Sequence, residues 1–510
     1  MPRTIEQQKI IDSNANTLVV NAFAGTGKTT TLIGYSEKRK DQRILYAAFN
    51  KAIQQEAEAK FRMAGCDHVT VRTSHSIAWS AMSDTYRKKL SQYGIRPTDA
   101  LRVLPSGTSI SHAKMALDCV NAYCVSADKN ISVKHTSAAE RLKDHVLSSA
   151  RALWEAMKDP DNGEMAIHHD GYLKLFQLSE PSLGYDIVLF DEAQDANPVT
   201  YSMLTSQGCG LLLAGDAHQS IYQFRGAAAA LEHAANKADE SLYLTSSFRF
   251  GTGVANIANH ILTQFKGENN VLKGLGRHKS TGFVLDGSPY AVIARTNAML
   301  FAEAVAALDA GIEFGYVGAP MGYRIDAVLD AYHLSKRRHD RIQDRYYKIF
   351  SGINDMERVG KDTDDYELLF LVKMVANYGD RIPSLVKDIK RTAIAWDPKS
   401  GTKPPKKILV TGHKSKGLEF DQVLLADDFA SLVEVEKGAK VFAQQLKPEE
   451  INLIYVAATR AERSLEVNPK LAEFLALRGI SSLGDLNRDG AVGTVGRLKH
   501  QKKFASMVLA

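Results

Sequence analysis

The feature that most constrains this chain is a glycine-rich turn set between an apolar run and a helical pattern. Thr17-Leu-Val-Val-Asn21 reads as a buried parallel strand, and Thr30-Thr-Leu-Ile-Gly-Tyr35 reads as the start of a helix. Between them lies Ala22-Phe-Ala-Gly-Thr-Gly-Lys-Thr29. In that strand–loop–helix context, Gly25 and Gly27 let backbone N–H groups close around phosphate oxygens. Lys28 is placed to reach the β- and γ-phosphates, and the Thr29 hydroxyl to ligate Mg²⁺. Ala22 stands where the usual pattern has Gly, a change the turn tolerates.

A second apolar run, Tyr185-Asp-Ile-Val-Leu-Phe190, ends in Asp191-Glu-Ala-Gln-Asp195. It delivers Asp191 to a metal and Glu192 to a water, the minimum for phosphoryl transfer from a nucleoside triphosphate. A lone glycine-rich loop is often only a tight turn, and a lone Asp-Glu pair is usually a solvated helix start. Strand-flanked and in this order, the two point to an NTPase.

At 510 residues the chain is too long for one core, so three or four domains or subdomains are expected. Composition is that of an ordinary globular protein, 45% hydrophobic and 24% charged. No apolar run reaches membrane-spanning length, and the N-terminus lacks a signal-peptide core. A cytoplasmic location is expected, or a nuclear one in a eukaryote, with no membrane partner. The net charge of +6 permits a polyanionic partner without demonstrating one. Cys66, Cys119, Cys124 and Cys209 lack C-x-x-C spacing and suggest neither a zinc ribbon nor a disulfide framework.

The expected fold class is α/β: two parallel-sheet P-loop domains with inserted, mainly helical subdomains. The first domain is assigned to 1–78 and 166–250, with a helical insertion at 79–165. The second is assigned to 251–321 and 396–487, with an insertion at 322–395 and a basic tail at 488–510. Strand signals at Ile187–Phe190 and Gly210–Gly215 each end in an acid, Asp191 and Asp216. In open α/β sheets such acids point into one crevice at the carboxyl ends of the strands.

Further motifs follow in order: Gly215-Asp-Ala-His-Gln-Ser-Ile-Tyr-Gln-Phe-Arg-Gly-Ala227, Ser247-Phe-Arg249, Thr411-Gly-His-Lys-Ser-Lys-Gly-Leu-Glu-Phe420 and Leu453-Ile-Tyr-Val-Ala-Ala-Thr-Arg-Ala461. With the phosphate loop and Asp191-Glu192, this set resembles the superfamily 1A DNA helicases of the UvrD/Rep type, from about Thr4 to Arg463. His169-Asp-Gly-Tyr-Leu-Lys-Leu-Phe-Gln-Leu178, Phe248-Arg-Phe-Gly251 and Ala294-Arg-Thr-Asn-Ala298 look closest to the F-box DNA helicase branch. The chain begins directly at the helicase core, so no F-box is expected. About 50 residues follow Arg460, so no nuclease fusion is expected either.

The resemblance implies that the two parallel-sheet P-loop domains are RecA-like, with ATP and Mg²⁺ as cofactors and hydrolysis between the two sheet domains. Gln7 would hydrogen-bond adenine, and Phe248, where relatives often carry Tyr, would stack on it. Ala24, Gly25, Thr26, Gly27, Lys28, Thr29 and Thr30 would line the phosphates, Thr30 standing where relatives often carry Arg. Gly417 and Glu419 would meet the ribose side. Lys28, Asp191, Glu192 and Gln219 would form the catalytic set, with Thr29 and Asp191 on the metal and Gln219 sensing the γ-phosphate. Arg249 and Arg460 would act as arginine fingers.

On the DNA side the resemblance implies Phe49, Asn50, Lys51, Thr73, His75, Phe224, Arg225 and His413, with Phe224 stacking on bases of any sequence. The implied activity is ATP-dependent 3′→5′ movement on single-stranded DNA and unwinding of duplex, on single strands and single-strand/duplex junctions. Repair and recombination are among the pathways such enzymes suggest, beside anti-recombination, phage replication and defence, and the sequence does not choose between them. One alternative is a single-strand translocase that strips proteins and unwinds little. Another is a nucleotide-gated clamp with a vestigial ATPase, against which the intact Lys28, Glu192, Gln219, Arg249 and Arg460 argue. The run Lys336-Arg-Arg338, with Arg341 and Arg345, either tracks duplex phosphates or is a solvated helix face.

Overall fold

The computed structural model describes residues 3–91, 94–222, 230–277, 287–363, 365–436, 438–480 and 483–486. Phe224, Arg225 and the tail at 488–510 lie outside the described residues. The chain packs as two compact units. The first comprises Met1–Ala22, Lys28–Leu244 and Arg345–Leu369; the second comprises Phe23–Gly27, Thr245–Asp344 and Phe370–Ala510.

The first unit is built on a six-stranded parallel sheet. Its strands are β1 (Thr17–Ala22), β2 (Ile44–Ala48), β3 (Val69–Thr73), β4 (Ile187–Phe190), β5 (Gly210–Gly215) and β6 (Glu240–Leu244). Their spatial order is β3-β2-β4-β5-β1-β6. Parallel sheets are covered by helices on both faces, so their inner strands read as continuous apolar runs. Accordingly every residue of β2 and β4 is buried. Val19 pairs with Leu213, and Tyr46 with Leu189. That register brings the carboxyl ends of β1, β2, β4 and β5 to one edge of the sheet, where the candidate residues collect.

Inserted after β3 is helical material with its own core. The helices Ile110–Val125 and Lys143–Lys158 pack through Val120, Tyr123, Leu153 and Trp154. Lys174, fully buried in the helix His169–Leu178, donates to the carbonyls of Ser126 and Asp128 and to Gln177 Oε1. Burial lowers its ammonium to about 8. The sequence reading takes 322–395 as one insertion; in the structure Arg345–Leu369 packs with the first unit, where Lys114 pairs with Asp365 at 3.6 Å.

The second unit also carries a six-stranded parallel sheet. Its order is Ile394–Trp396, Phe314–Val317, Lys407–Thr411, Tyr290–Ala294, Phe420–Leu425 and Ala461–Glu466. The turn after Tyr290–Ala294 is fixed by Asp428, whose carboxylate accepts from the backbone N–H groups of Arg295 and Thr296 at 2.8 Å. Arg295 in turn makes a forked pair with Glu450, at 2.7 Å from Nη2 and 3.1 Å from Nε. Two parallel sheets flanked by helices meet the α/β expectation. Among the described residues no helix is long and apolar enough to cross a membrane, and no group of three or more His, Cys, Asp or Glu could hold a metal.

Candidate nucleotide site and strand-contact residues

In the first unit, Lys28 opens the helix Lys28–Glu37 directly after the glycine turn. Its Nζ lies 2.6 Å from Glu192 Oε1 and 3.9 Å from Asp191 Oδ1. Burial alone would depress the ammonium, but the charges of Glu192 and Asp191 reverse this and hold it above the usual lysine range. Asp191 directly follows β4 and is only 2% exposed. Burial raises its carboxyl, opposed chiefly by Lys28. Its Oδ1 accepts from the Glu192 N–H at 2.9 Å, which closes the turn beyond the strand. Glu192 itself sits at φ 53°, the left-handed region that costs a non-glycine residue of order 1–3 kcal/mol and clusters at functional sites.

Two further side chains complete this edge. Gln194 Nε2 donates to Glu192 Oε2 at 2.6 Å, while its Oε1 accepts from the Asp216 N–H at 3.1 Å. Gln219 Nε2 donates to Asp216 Oδ2 at 2.8 Å. The network ties the end of β4 to the end of β5, so Gln219 is oriented relative to Glu192 through Asp216 and Gln194. Gln194 and Tyr46, whose hydroxyl donates to Asp191 Oδ2, are absent from the sequence-based set. The signals were present: Gln194 follows Asp191-Glu192 within one short turn, and Tyr46 carries the only side-chain polar atom in the strand Ile-Leu-Tyr-Ala-Ala.

Gln7, assigned to adenine, is the third residue of its helix and forms a capping box with Thr4. Its Oε1 accepts from the Thr4 N–H at 3.0 Å. Thr29 is half-buried and Thr30 exposed. Among the strand-contact candidates, Phe49 stacks on Tyr222 with ring centroids 5.4 Å apart and planes 22° from parallel. Asn50 caps the helix Lys51–Met63 through the Ile53 N–H, leaving Lys51 exposed. Thr73 caps Ser74–Ala81 in a capping box with Ser76. His75 lies 3.2 Å from Asp170 and edge-on to His169 and Tyr172.

In the second unit, the glycine turn Phe23–Gly27 has Gly25 at φ +74° and Gly27 at φ +79°. A Cβ on Gly25 would fall 2.5 Å from Ser247 Oγ and 2.7 Å from Arg249 Cβ, so only glycine fits. The Gly25 carbonyl accepts from the Phe248 N–H at 2.9 Å, and the Ala24 N–H donates to Tyr455 Oη at 3.1 Å. Thr26 is buried, and its hydroxyl donates to the Phe23 carbonyl at 2.8 Å.

Arg249, assigned as a finger, donates through Nε to Glu419 Oε1 at 2.6 Å and through Nη1 to the Thr459 carbonyl at 3.1 Å. Glu419, assigned to ribose, keeps 45% of its side chain exposed. Gly417 precedes it at φ +80°. Arg460, the other assigned finger, is 1% exposed. Its guanidinium donates to the carbonyl of Val456 at 2.9 Å and to Thr459 Oγ1 at 3.2 Å, with a longer bond to the Leu418 carbonyl. Phe248 and His413 are half-buried.

The donor chemistry suits the expected groups. Thr29 and Asp191 offer hard oxygen ligands of the kind Mg²⁺ takes. The glycine turn offers backbone N–H groups to an anion.

Comparison with known proteins gives the family. Residues 4–238 match the family model for the UvrD/REP helicase N-terminal domain, and residues 332–468 match that for the UvrD-like helicase C-terminal domain. The chain is 32% identical to "F-box DNA helicase 1" of Gallus gallus, over 93% of this chain and 50% of the relative. It is 30% identical to "F-box DNA helicase protein 1" of Schizosaccharomyces pombe, over 93% of this chain and 58% of the relative. A "Probable DNA helicase II homolog" of Mycoplasma genitalium is 26% identical over 52% of this chain. The chain thus spans about half the length of the F-box helicases it matches. With both UvrD-like domains matched in order along the sequence, the chain belongs to the UvrD/Rep helicase family.

Proposed function

We propose that the chain is an ATP-dependent DNA helicase that moves 3′→5′ along single-stranded DNA and unwinds duplex at junctions. The observation that carries the reading is Lys28 held against Glu192 and Asp191 at the carboxyl edge of a parallel sheet, with Gln219 tied into the same network. Lys28 binds the β- and γ-phosphates, and Glu192 orients the attacking water and takes its proton. When bound, Mg²⁺ neutralises phosphate charge, and Thr29 and Asp191 are the residues that would hold it. Gln219 senses the γ-phosphate, and Arg249 and Arg460 stabilise charge on the transferring group. Phe49, with Lys51 and His75 on the same unit, contacts the strand by stacking and charge, which tolerates any sequence. The names of the relatives, all DNA helicases, support DNA as the polymer.

The test is ATP turnover with and without single-stranded DNA, followed by unwinding of duplexes carrying a 3′ or a 5′ tail. DNA-stimulated turnover with unwinding from the 3′ tail alone is the expected result. Turnover indifferent to DNA would overturn the reading, and unwinding from the 5′ tail would overturn the polarity. Stimulated turnover without unwinding would favour the translocase that strips proteins from DNA.

A further inference from the structure

Tyr46 lies on the second strand of the first sheet, fully buried in a run that is otherwise Ile, Leu and Ala. Its ring packs edge-on against Phe61, with centroids 5.2 Å apart, so the ring is held independently of its hydroxyl. That hydroxyl donates to Asp191 Oδ2 and is also bonded to the side chain of Thr29. The two residues it touches are the two whose oxygens suit a hard divalent cation.

We infer that Tyr46 is a positioning residue for the divalent cation: its hydroxyl fixes the rotation of the Asp191 carboxylate and the Thr29 hydroxyl so that both oxygens converge. The inference rests on the reading of Thr29 and Asp191 as the cation's ligands. Two facts carry it. First, the terminal torsion of an aspartate is broad, so a carboxylate needs two anchors to hold one plane. Here Oδ1 is anchored by the Glu192 N–H, in the turn that follows β4, and Oδ2 by Tyr46 on β2. Second, an ionised carboxylate has about four acceptor positions, so each oxygen keeps a lone pair for a cation after these bonds are made. A core tyrosine needs only some acceptor for its hydroxyl; this one links two candidate ligands on separate elements, the strand end and the helix that follows the glycine turn. Partners that orient metal ligands in this way are worth roughly 10–100-fold in metal affinity or activity.

The experiment is Tyr46→Phe, which removes the hydroxyl and keeps the ring. Mg²⁺ is titrated into protein with a fluorescent ADP, and separately into the ATPase assay, with melting temperature measured in EDTA. The Mg²⁺ concentration for half-maximal nucleotide binding and turnover should rise about tenfold. Nucleotide binding in EDTA should stay unchanged, and turnover should recover at high Mg²⁺. Phe61→Leu, which undercuts the ring and spares the hydroxyl, controls for general loosening and should leave the Mg²⁺ requirement near wild type. An unchanged requirement in Tyr46→Phe, an equal rise in Phe61→Leu, or a Tyr46→Phe protein unfolded in EDTA would each return Tyr46 to a packing role. A wild-type protein whose nucleotide binding ignores Mg²⁺ would instead overturn the assignment of Thr29 and Asp191.

Discussion

Lys28 and Glu192 form a 2.6 Å ion pair in which both side chains are less than a fifth exposed. On the proposed reading, phosphate oxygens would compete with Glu192 for the same ammonium. Phosphate binding would then free the carboxylate proposed to activate water, so that one residue would link binding to readiness for chemistry. Lys28→Ala should abolish turnover, and it should also lower stability, because Asp191 and Glu192 lose their cation. Removing one partner of a buried pair costs up to about 3–5 kcal/mol, read here as a lower melting temperature. Glu192→Gln should keep ATP binding and lose hydrolysis. Turnover near wild type in Glu192→Gln would remove that residue from the chemistry.

Gly25 makes the second prediction. At φ +74°, with Ser247 Oγ and Arg249 Cβ in the way, alanine meets both backbone strain and a clash. Gly25→Ala should cost at least the roughly 1 kcal/mol of the left-handed conformation and displace Arg249. Nucleotide affinity and turnover should fall together. Wild-type affinity would mean that the turn relaxes without consequence.

The two arginines should separate by stability. Arg249 is anchored to an exposed carboxylate and one carbonyl, whereas Arg460 is enclosed and donates to backbone carbonyls and Thr459. Arginine fingers are worth about 10³–10⁵ in rate, so both alanine variants should lose turnover steeply. Arg460→Ala should also lose melting temperature, since it opens a cavity and leaves the Val456 carbonyl without this donor. Equal melting temperatures for the two variants would contradict the buried role.

What the sequence made legible tracks local chemistry. The strand–glycine–helix unit and the Asp191-Glu192 turn carry their spacing in consecutive residues, and the apolar strands β1, β2, β4 and β5 are visible as runs. Phe314–Val317 and Ile394–Trp396 were not, being short strands within or beside charged and loop-like stretches whose pairing depends on distant partners. Asn50 and Thr73 show the limit of motif reading: each caps a helix, a task that residue type alone also predicts. Tyr46 and Gln194 act through hydrogen bonds across strands or turns, which no single window of sequence displays. The grouping of Arg345–Leu369 with the first unit is of the same kind, set by pairings such as Lys114 with Asp365.

The exposed run Lys336-Arg-Arg338 with Arg341 offers a salt-dependent test. Lys336 is partly engaged, paired with Asp380 at 2.7 Å. Neutralising Lys336, Arg337, Arg338 and Arg341 together should weaken binding to duplex junctions and flatten its dependence on salt. Each DNA phosphate that the variant leaves un-neutralised should reduce the log–log slope by about 0.9. Single-strand-stimulated ATPase should survive. Unchanged junction affinity with an unchanged slope would leave these residues as solvated surface.

Glu466 supplies a prediction about pH. It ends the strand Ala461–Glu466, half-buried, and burial raises its carboxyl from 4.5 to about 7. The folded chain therefore keeps this proton through a range in which the unfolded chain has released it. The resulting contribution to stability is fully present below pH 4.5 and declines as pH rises. It is lost once pH passes about 7, where the folded protein must ionise the same half-buried group. Glu466→Gln keeps the shape and removes the titration. Its melting temperature relative to wild type should rise steadily between pH 4.5 and 7 and level off above. Because the group is partly solvated, the gain should be smaller than the full shift implies. A wild-type-minus-variant difference that stays flat across this window would show that Glu466 titrates as an ordinary surface carboxylate.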